Sequence, residues 1–171
     1  MSGENPSIKK IFDEAFQHYQ NGNLKQAETL FKKVLESIPK HFSSTFLLGT
    51  ISGQIKQYQV AIELLKQAIE INPNYAEAHY NLGNVFQKSG QYQEAISSYQ
   101  DAINIDPNNV KARNNLGYSL KKLNKHQEAI KCLQTAVQKE PSNITSHWLS
   151  MNTFPIIYRS IEEIDRYRKR F

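Results

Sequence analysis

Five histidines, one cysteine and a scatter of acids are the groups in this chain that could do chemistry. His18, His41, His79, His126 and His147 include no pair one helical turn apart, the spacing that would let two imidazoles share a metal. Cys132 stands alone between Lys131 and Leu133, which excludes a disulfide framework or a multi-cysteine metal site. It reads as a structural thiol. Glu162, Glu163 and Asp165 gather, but just after Ser160, where negative charge favours the start of a helix. No glycine loop has phosphate-cradling spacing. Neither catalysis nor a cofactor is expected of this chain. What remains is recognition: Asn81 and Asn115 recur at one interval, and a carboxamide donates and accepts hydrogen bonds at once.

Composition narrows the partner. No run approaches the roughly 20 apolar residues needed to span a bilayer. The first residues, Met1 to Ser7, lack the basic and then apolar regions of a secretory signal. With the single cysteine, these features point to a cytoplasmic protein with no membrane partner. The formal net charge of +5 mildly favours acidic partners. The basic clusters, Lys121, Lys122 and Lys125, then Arg166, Arg168, Lys169 and Arg170, read as solvated helix faces rather than a phosphate track. Nucleic acid is not the expected partner.

The elements that must position these groups announce themselves by period. Pro39, Pro73, Pro107 and Pro141 are 34 residues apart, as are Ala27, Ala61, Ala95 and Ala129. Phe31, Leu65, Tyr99 and Leu133 keep the same step, and so do Val34, Ala68, Ala102 and Ala136. Leu48, Leu82 and Leu116 keep it too, each followed by a glycine: Gly49, Gly83 or Gly117. Several registers sharing one period mark a repeat architecture. Within a unit the apolar spacing is helical, as in Ala95, Ile96, Tyr99, Ala102 and Ile103. Gly22, Gly90 and Asn124 sit where a left-handed residue can end a first helix, with Lys56 in that place in the second unit. Each proline stops a second helix. The small residues would let paired helices approach closely, and stacking of neighbours would complete the core.

The run Leu82-Gly83, Tyr92, Ala95, Tyr99, Ala102, Pro107 resembles the tetratricopeptide repeat (TPR) signature. That resemblance implies an all-α, right-handed α-solenoid. We expect four helix-turn-helix repeats over 8–41, 42–75, 76–109 and 110–143, after a disordered N-terminus at 1–7. The first unit departs from the pattern, with Glu14 and Ala15 in place of Leu-Gly. Thr45, His79 and Arg113 replace the usual bulky aromatic early in the first helix. A capping helix is expected over 144–154, with Trp148 and Leu149 inward and Thr145, Ser146 and Asn152 in water. Pro155 breaks it. Ser160 and Glu163 form a capping box for a short amphipathic helix within 155–171, its stripe formed by Ile161, Ile164, Tyr167 and Phe171. This pattern stops abruptly, as in a truncated chain or a face awaiting a partner. The string from Phe154 to Ser160, with Glu162 to Phe171, resembles the junction before the catalytic part of SPINDLY-like O-GlcNAc transferases. That resemblance implies a covalently following glycosyltransferase domain.

In TPR superhelices the first helices line a concave groove, which implies a protein or peptide segment as the partner. Projected onto this chain, the groove takes Phe12, Asp13 and Phe16, then Phe46, Leu47 and Thr50. Tyr80, Asn81, Asn84 and Lys88 follow, and then Lys111, Asn114, Asn115, Tyr118 and Lys122. The wall would grade from aromatic to amide-rich and basic. Asn81 and Asn115 either form a ladder along a peptide backbone, as similar asparagines do in O-GlcNAc transferase repeats, or steady the helix ahead of Leu-Gly. Thr50 and Tyr118 would interrupt that track. A clamp on a C-terminal carboxylate is not expected, because only Asn81 and Lys111 match its places while Phe46 and Thr50 do not.

Overall fold

Proline fixes where each unit ends. Its ring disfavours the helical region for the residue before it, and Ile38, Asn72, Asp106 and Glu140 accordingly swing out to ψ of 85°, 88°, 92° and 83°. The computed structural model describes residues 6–151, all helical between turns. The first four helices are α1 (Pro6–Gln20), α2 (Leu24–Ser37), α3 (Phe42–Gln54) and α4 (Tyr58–Ile71). They are followed by α5 (Ala76–Lys88), α6 (Tyr92–Ile105), α7 (Val110–Lys122), α8 (His126–Lys139) and α9 (Ile144–Met151). Because α1 opens at Pro6, Pro6 and Ser7 are helical rather than part of the tail expected over 1–7. Residues 1–5, the end of the expected capping helix at 152–154 and the expected C-terminal helix within 155–171 lie outside the described residues.

Successive helices pair, and the pairs stack into a solenoid. The turn inside each pair uses one left-handed residue: Gly22 (φ 75°), Lys56 (φ 65°), Gly90 (φ 80°) and Asn124 (φ 59°). Lysine takes this conformation at a cost of about 1–2 kcal/mol, because its β-carbon crowds the following carbonyl. The pair itself closes on a missing side chain. A β-carbon added to Gly83 would lie 2.6 Å from the Tyr99 ring, and one on Gly117 2.6 Å from Leu133. Gly49 is tight in the same way, 3.0 Å from Leu65. Ala27, Ala61, Ala95 and Ala129 are fully buried at the start of the second helices, as are Phe31, Leu65, Tyr99 and Leu133 one turn on.

Stacking brings the first helices of adjacent units together, α3 with α5, α5 with α7 and α7 with α9. Where the bulky aromatic is missing, polar groups reach back instead. His79 Nε2 lies 2.9 Å from the Pro73 carbonyl oxygen, and Arg113 Nη2 donates to that of Pro107 at 3.1 Å. Both tie the inter-unit turn to the following helix.

The last helix is in step with the array. Asn143 Oδ1 accepts from the Ser146 amide at 3.1 Å, just as Asn109 Oδ1 accepts from the Ala112 amide at 2.9 Å. Ser146 therefore takes the fully buried place of Ala112, one period earlier. This corrects two expectations: Ser146 is buried rather than in water, and Trp148 is 60% exposed rather than turned inward. The cause is the repeat register, which decides the face that α9 presents to α7.

Two outcomes follow. Lys56→Gly relieves the left-handed turn and should raise stability by about 1 kcal/mol in urea denaturation. Gly83→Ala gains helix propensity but drives a methyl into a buried ring, so the same measurement should show a net loss of about 1 kcal/mol or more.

Candidate functional site

Four first helices, α3, α5, α7 and α9, form the wall that could receive a ligand. Two hollows adjoin along it. One, of about 150 Å³, is lined by Thr50, Gly53, Gln54, Leu65, Asn81, Asn84, Val85 and Lys88. The other, of about 330 Å³, is lined by Gln87, Lys88, Tyr92, Asn115, Tyr118 and Leu149. Lys88 belongs to both, so they form one track.

The amides of this track are cross-linked between units. Asn81 Nδ2 donates to Thr50 Oγ1 at 3.2 Å, from α5 to α3. Asn115 Nδ2 donates to Asn84 Oδ1 at 2.8 Å, from α7 to α5. The same Asn84 oxygen accepts from the Tyr99 hydroxyl at 2.9 Å. Burial pushes that hydroxyl far above its ordinary pKa, so it remains a donor. Gln87 Nε2 donates to the Asn115 carbonyl at 3.2 Å and to Ser119 Oγ at 2.9 Å. Thr50, expected to interrupt the polar track, is its first rung. Asn84 Nδ2 and Asn81 Oδ1 keep their capacity, with no partner among the described residues.

Several residues projected onto the wall lie elsewhere. Phe46 is only 9% exposed, stacked on Phe42 and meeting Tyr75 edge-on at 5.2 Å. Leu47 is buried as well. Asn114 is buried between units and donates to Ser146 Oγ at 2.9 Å. Phe12 and Tyr80 share this register and are half-buried, Phe12 against Phe31 and His41, Tyr80 against Tyr99. Phe46 and Asn114 thus face the next unit rather than the groove, because first helices of adjacent units pack directly, while Tyr80 is covered by the second helix of its own unit. Of the aromatic end, Phe16 stays exposed, stacked on Phe12. A separate hollow of about 250 Å³ beside it is lined by Ile8, Lys9, Phe12, Asp13, His41 and Ser43. Tyr118 is exposed with Lys122 Nζ 5.3 Å from its ring centroid, and Lys111 is exposed further along α7.

Gln54, Gln87, Tyr92 and Leu149 were not foreseen on the wall. Gln54 had a signal: it precedes Lys88 by one period, and Lys88 precedes Lys122 by another. Gln87 had none, since Gly53 and Lys121 stand at its equivalents.

Among the described residues no three His, Cys, Asp or Glu side chains are placed to hold a metal. No helix of the described part is long and apolar enough to cross a membrane. Cys132 donates from Sγ to the Arg113 carbonyl at 3.3 Å, and burial pushes its pKa up to about 11, partly offset by the nearby Arg113 charge.

Paired helices stacked in one register, with a wall of first helices along one side, define a helical-repeat scaffold. Tetratricopeptide repeat models match residues 76–109 and 110–143, and a further TPR model matches residues 54–90, so the chain belongs to the tetratricopeptide repeat family. Among solved structures, a MamA protein superposes with a TM-score of 0.85 over 95% of this chain and 88% of its own, at 23% identity. MamA from Desulfovibrio magneticus RS-1 is 26% identical with a TM-score of 0.75, covering 80% of this chain and 77% of that one. A mutant O-GlcNAc transferase from Thermobaculum terrenum is 27% identical with a TM-score of 0.72, covering 81% of this chain but 27% of that one. No curated protein sequence matches the chain.

The folded thiol keeps its proton to a higher pH than the unfolded one. Its contribution to stability is therefore complete below about 9 and is lost as the pH rises through about 11. Alkylation of Cys132 at pH 8 should accordingly be much slower in the native chain than in urea, as followed by mass spectrometry.

Proposed function

We propose that this chain is a protein-interaction scaffold that holds an extended segment of another protein along the wall formed by α3, α5 and α7. The supporting observation is the amide track, in which Asn81 and Asn84 are held by neighbouring units yet keep a free acceptor and a free donor. An extended backbone offers the complementary N–H and C=O groups at every residue. Rungs already held by Thr50, Tyr99 and Asn115 lose little freedom on binding. Tyr118 serves as an exposed anchor with Lys88 and Lys122 beside it, and Phe16 on α1 and Lys111 at the start of α7 stand exposed beyond the hollows. In this reading Phe46, Tyr80 and Asn114 shape the wall from behind.

A second reading is favoured by one observation, the 27% identity to the Thermobaculum terrenum O-GlcNAc transferase over 81% of this chain. Here the scaffold is the substrate-recruiting arm of a glycosyltransferase whose catalytic part follows it. A stop codon directly after Phe171 in the gene would end this reading.

Peptides selected on the folded chain from a random library provide the ligand for testing the first. Asn81→Ala with Asn115→Ala should weaken their binding about tenfold in calorimetry. Thr50→Val removes the rung under Asn81; it should lower stability by about 1 kcal/mol and, by freeing the Asn81 amide, weaken binding by less than the double asparagine variant does. Equal affinity of the double asparagine variant and the parent would rule out the amide track as the site.

A further inference from the structure

From α3 onward the first helices of this chain are rich in cations and nearly free of acids. Helices α3, α5, α7 and α9 carry Lys88, Lys111, Arg113, Lys121 and Lys122 against a single acid, Glu77. The second helices carry most of the acids, mixed with cations: Glu63 and Glu70 with Lys66 on α4, Glu94 and Asp101 on α6, and Glu128 with Lys131 and Lys139 on α8. Solubility alone does not require this, since an exposed helix position accepts either sign.

Two structural roles account for part of the set. Arg113 is engaged by the Pro107 carbonyl. Lys88, Lys121 and Lys122 occupy last helical turns, where a cation complements the terminal carbonyls. That role is not general here: α2, α3, α4 and α6 end with no cation in the last turn. Lys88 borders both hollows of the wall, and neither hollow is lined by an Asp or Glu. Lys88 and Lys111 have no ion-pair partner among the described residues. Lys122 sits by the ring of Tyr118, inside the same wall. The free donor on Asn84 adds to this excess.

Resting on the peptide-holding reading above, we infer that the groove is built for an acidic segment, with Asp or Glu side chains meeting Lys88 and Lys122. The wall is a poor match for nucleic acid. Two or three free cations are too few for the 6–10 or so phosphate contacts of a typical nucleic-acid site, whereas they suit a few carboxylates set along a backbone.

Fluorescence anisotropy with labelled peptides tests this on the full chain, using one peptide of alternating Glu and Ser and one of alternating Gln and Ser. The Glu peptide should bind about tenfold more tightly than the Gln peptide. Lys88→Ser with Lys122→Ser should remove most of that difference, and added salt should weaken the Glu peptide alone. Both lysines are exposed, so the fold is retained. Lys32→Ser, on α2 beside Glu28, should leave binding unchanged. Equal binding of the two peptides, or no effect of the double variant, overturns the acidic preference and leaves the peptide-holding reading standing. Failure of both peptides to bind overturns both. Tighter binding of a single-stranded oligonucleotide, lost in the double variant, assigns the wall to nucleic acid and overturns the inference.

Discussion

A methyl group cannot be placed on Gly83 without meeting the Tyr99 ring, nor on Gly117 without meeting Leu133. That exclusion brings the backbone of each first helix against a large second-helix side chain, and the fully buried alanines do the same from the other side. Close approach fixes the rotation of one helix about the other, because rings and branched chains have few ways to fit a glycine-sized notch. Rotation, in turn, decides which first-helix registers face outward. Asn84 and Tyr118 reach the wall because the glycine before each, Gly83 or Gly117, is turned towards the second helix. The proposed recognition surface is thus a consequence of packing on the opposite side of the same helices.

The joints between units obey a second rule and change character along the array. One register runs Phe12, Phe46, Tyr80, Asn114, and Phe46 and Asn114 reach across a joint. Burying a large apolar side chain contributes about 1.5–3 kcal/mol, while a neutral hydrogen bond contributes about 0.5–1.5. The α7–α9 joint includes the Asn114–Ser146 bond and leaves Asn114 Oδ1 buried with no partner among the described residues. It is therefore held less firmly than the joint where Phe46 meets Tyr75. In a linear array, where each unit contacts only its neighbours, that difference stays local. The end of the wall that carries Leu149 and Tyr118 is more yielding than the end that carries Thr50 and Asn81.

The period alone carried the helices, the turn at Lys56 and the glycine notches, because each depends on residue size or backbone freedom repeated at one interval. What it could not assign was direction. Phe46 and Asn114 were expected on the wall along with Asn81 and Asn84, since all lie on the same half of their helices. Only the packing of α3 on α5 and of α7 on α9 separates the register facing the next unit from the one facing the groove. Thr50 was misread for a related reason. Taken alone it is a small residue breaking a row of amides, and its hydroxyl joins the row only when Asn81 is brought across from the next unit. Ser146 looked like a surface residue because its type is polar, yet its register is that of Ala112.

The rungs explain how one set of side chains can serve both stability and recognition. Asn84 Oδ1 is saturated by Tyr99 and Asn115, which fixes the plane of the amide and so aims its remaining N–H groups. Asn81 is fixed from the other face by Thr50. Groups aimed before a ligand arrives need not be ordered by it, so more of each hydrogen bond formed appears as affinity. The lysines work in the opposite way. Long, exposed and without carboxylate neighbours on the wall, they can follow charges at varied spacing along a bound segment. Rigid amides would read the backbone common to all extended chains, and mobile cations would select among them by charge.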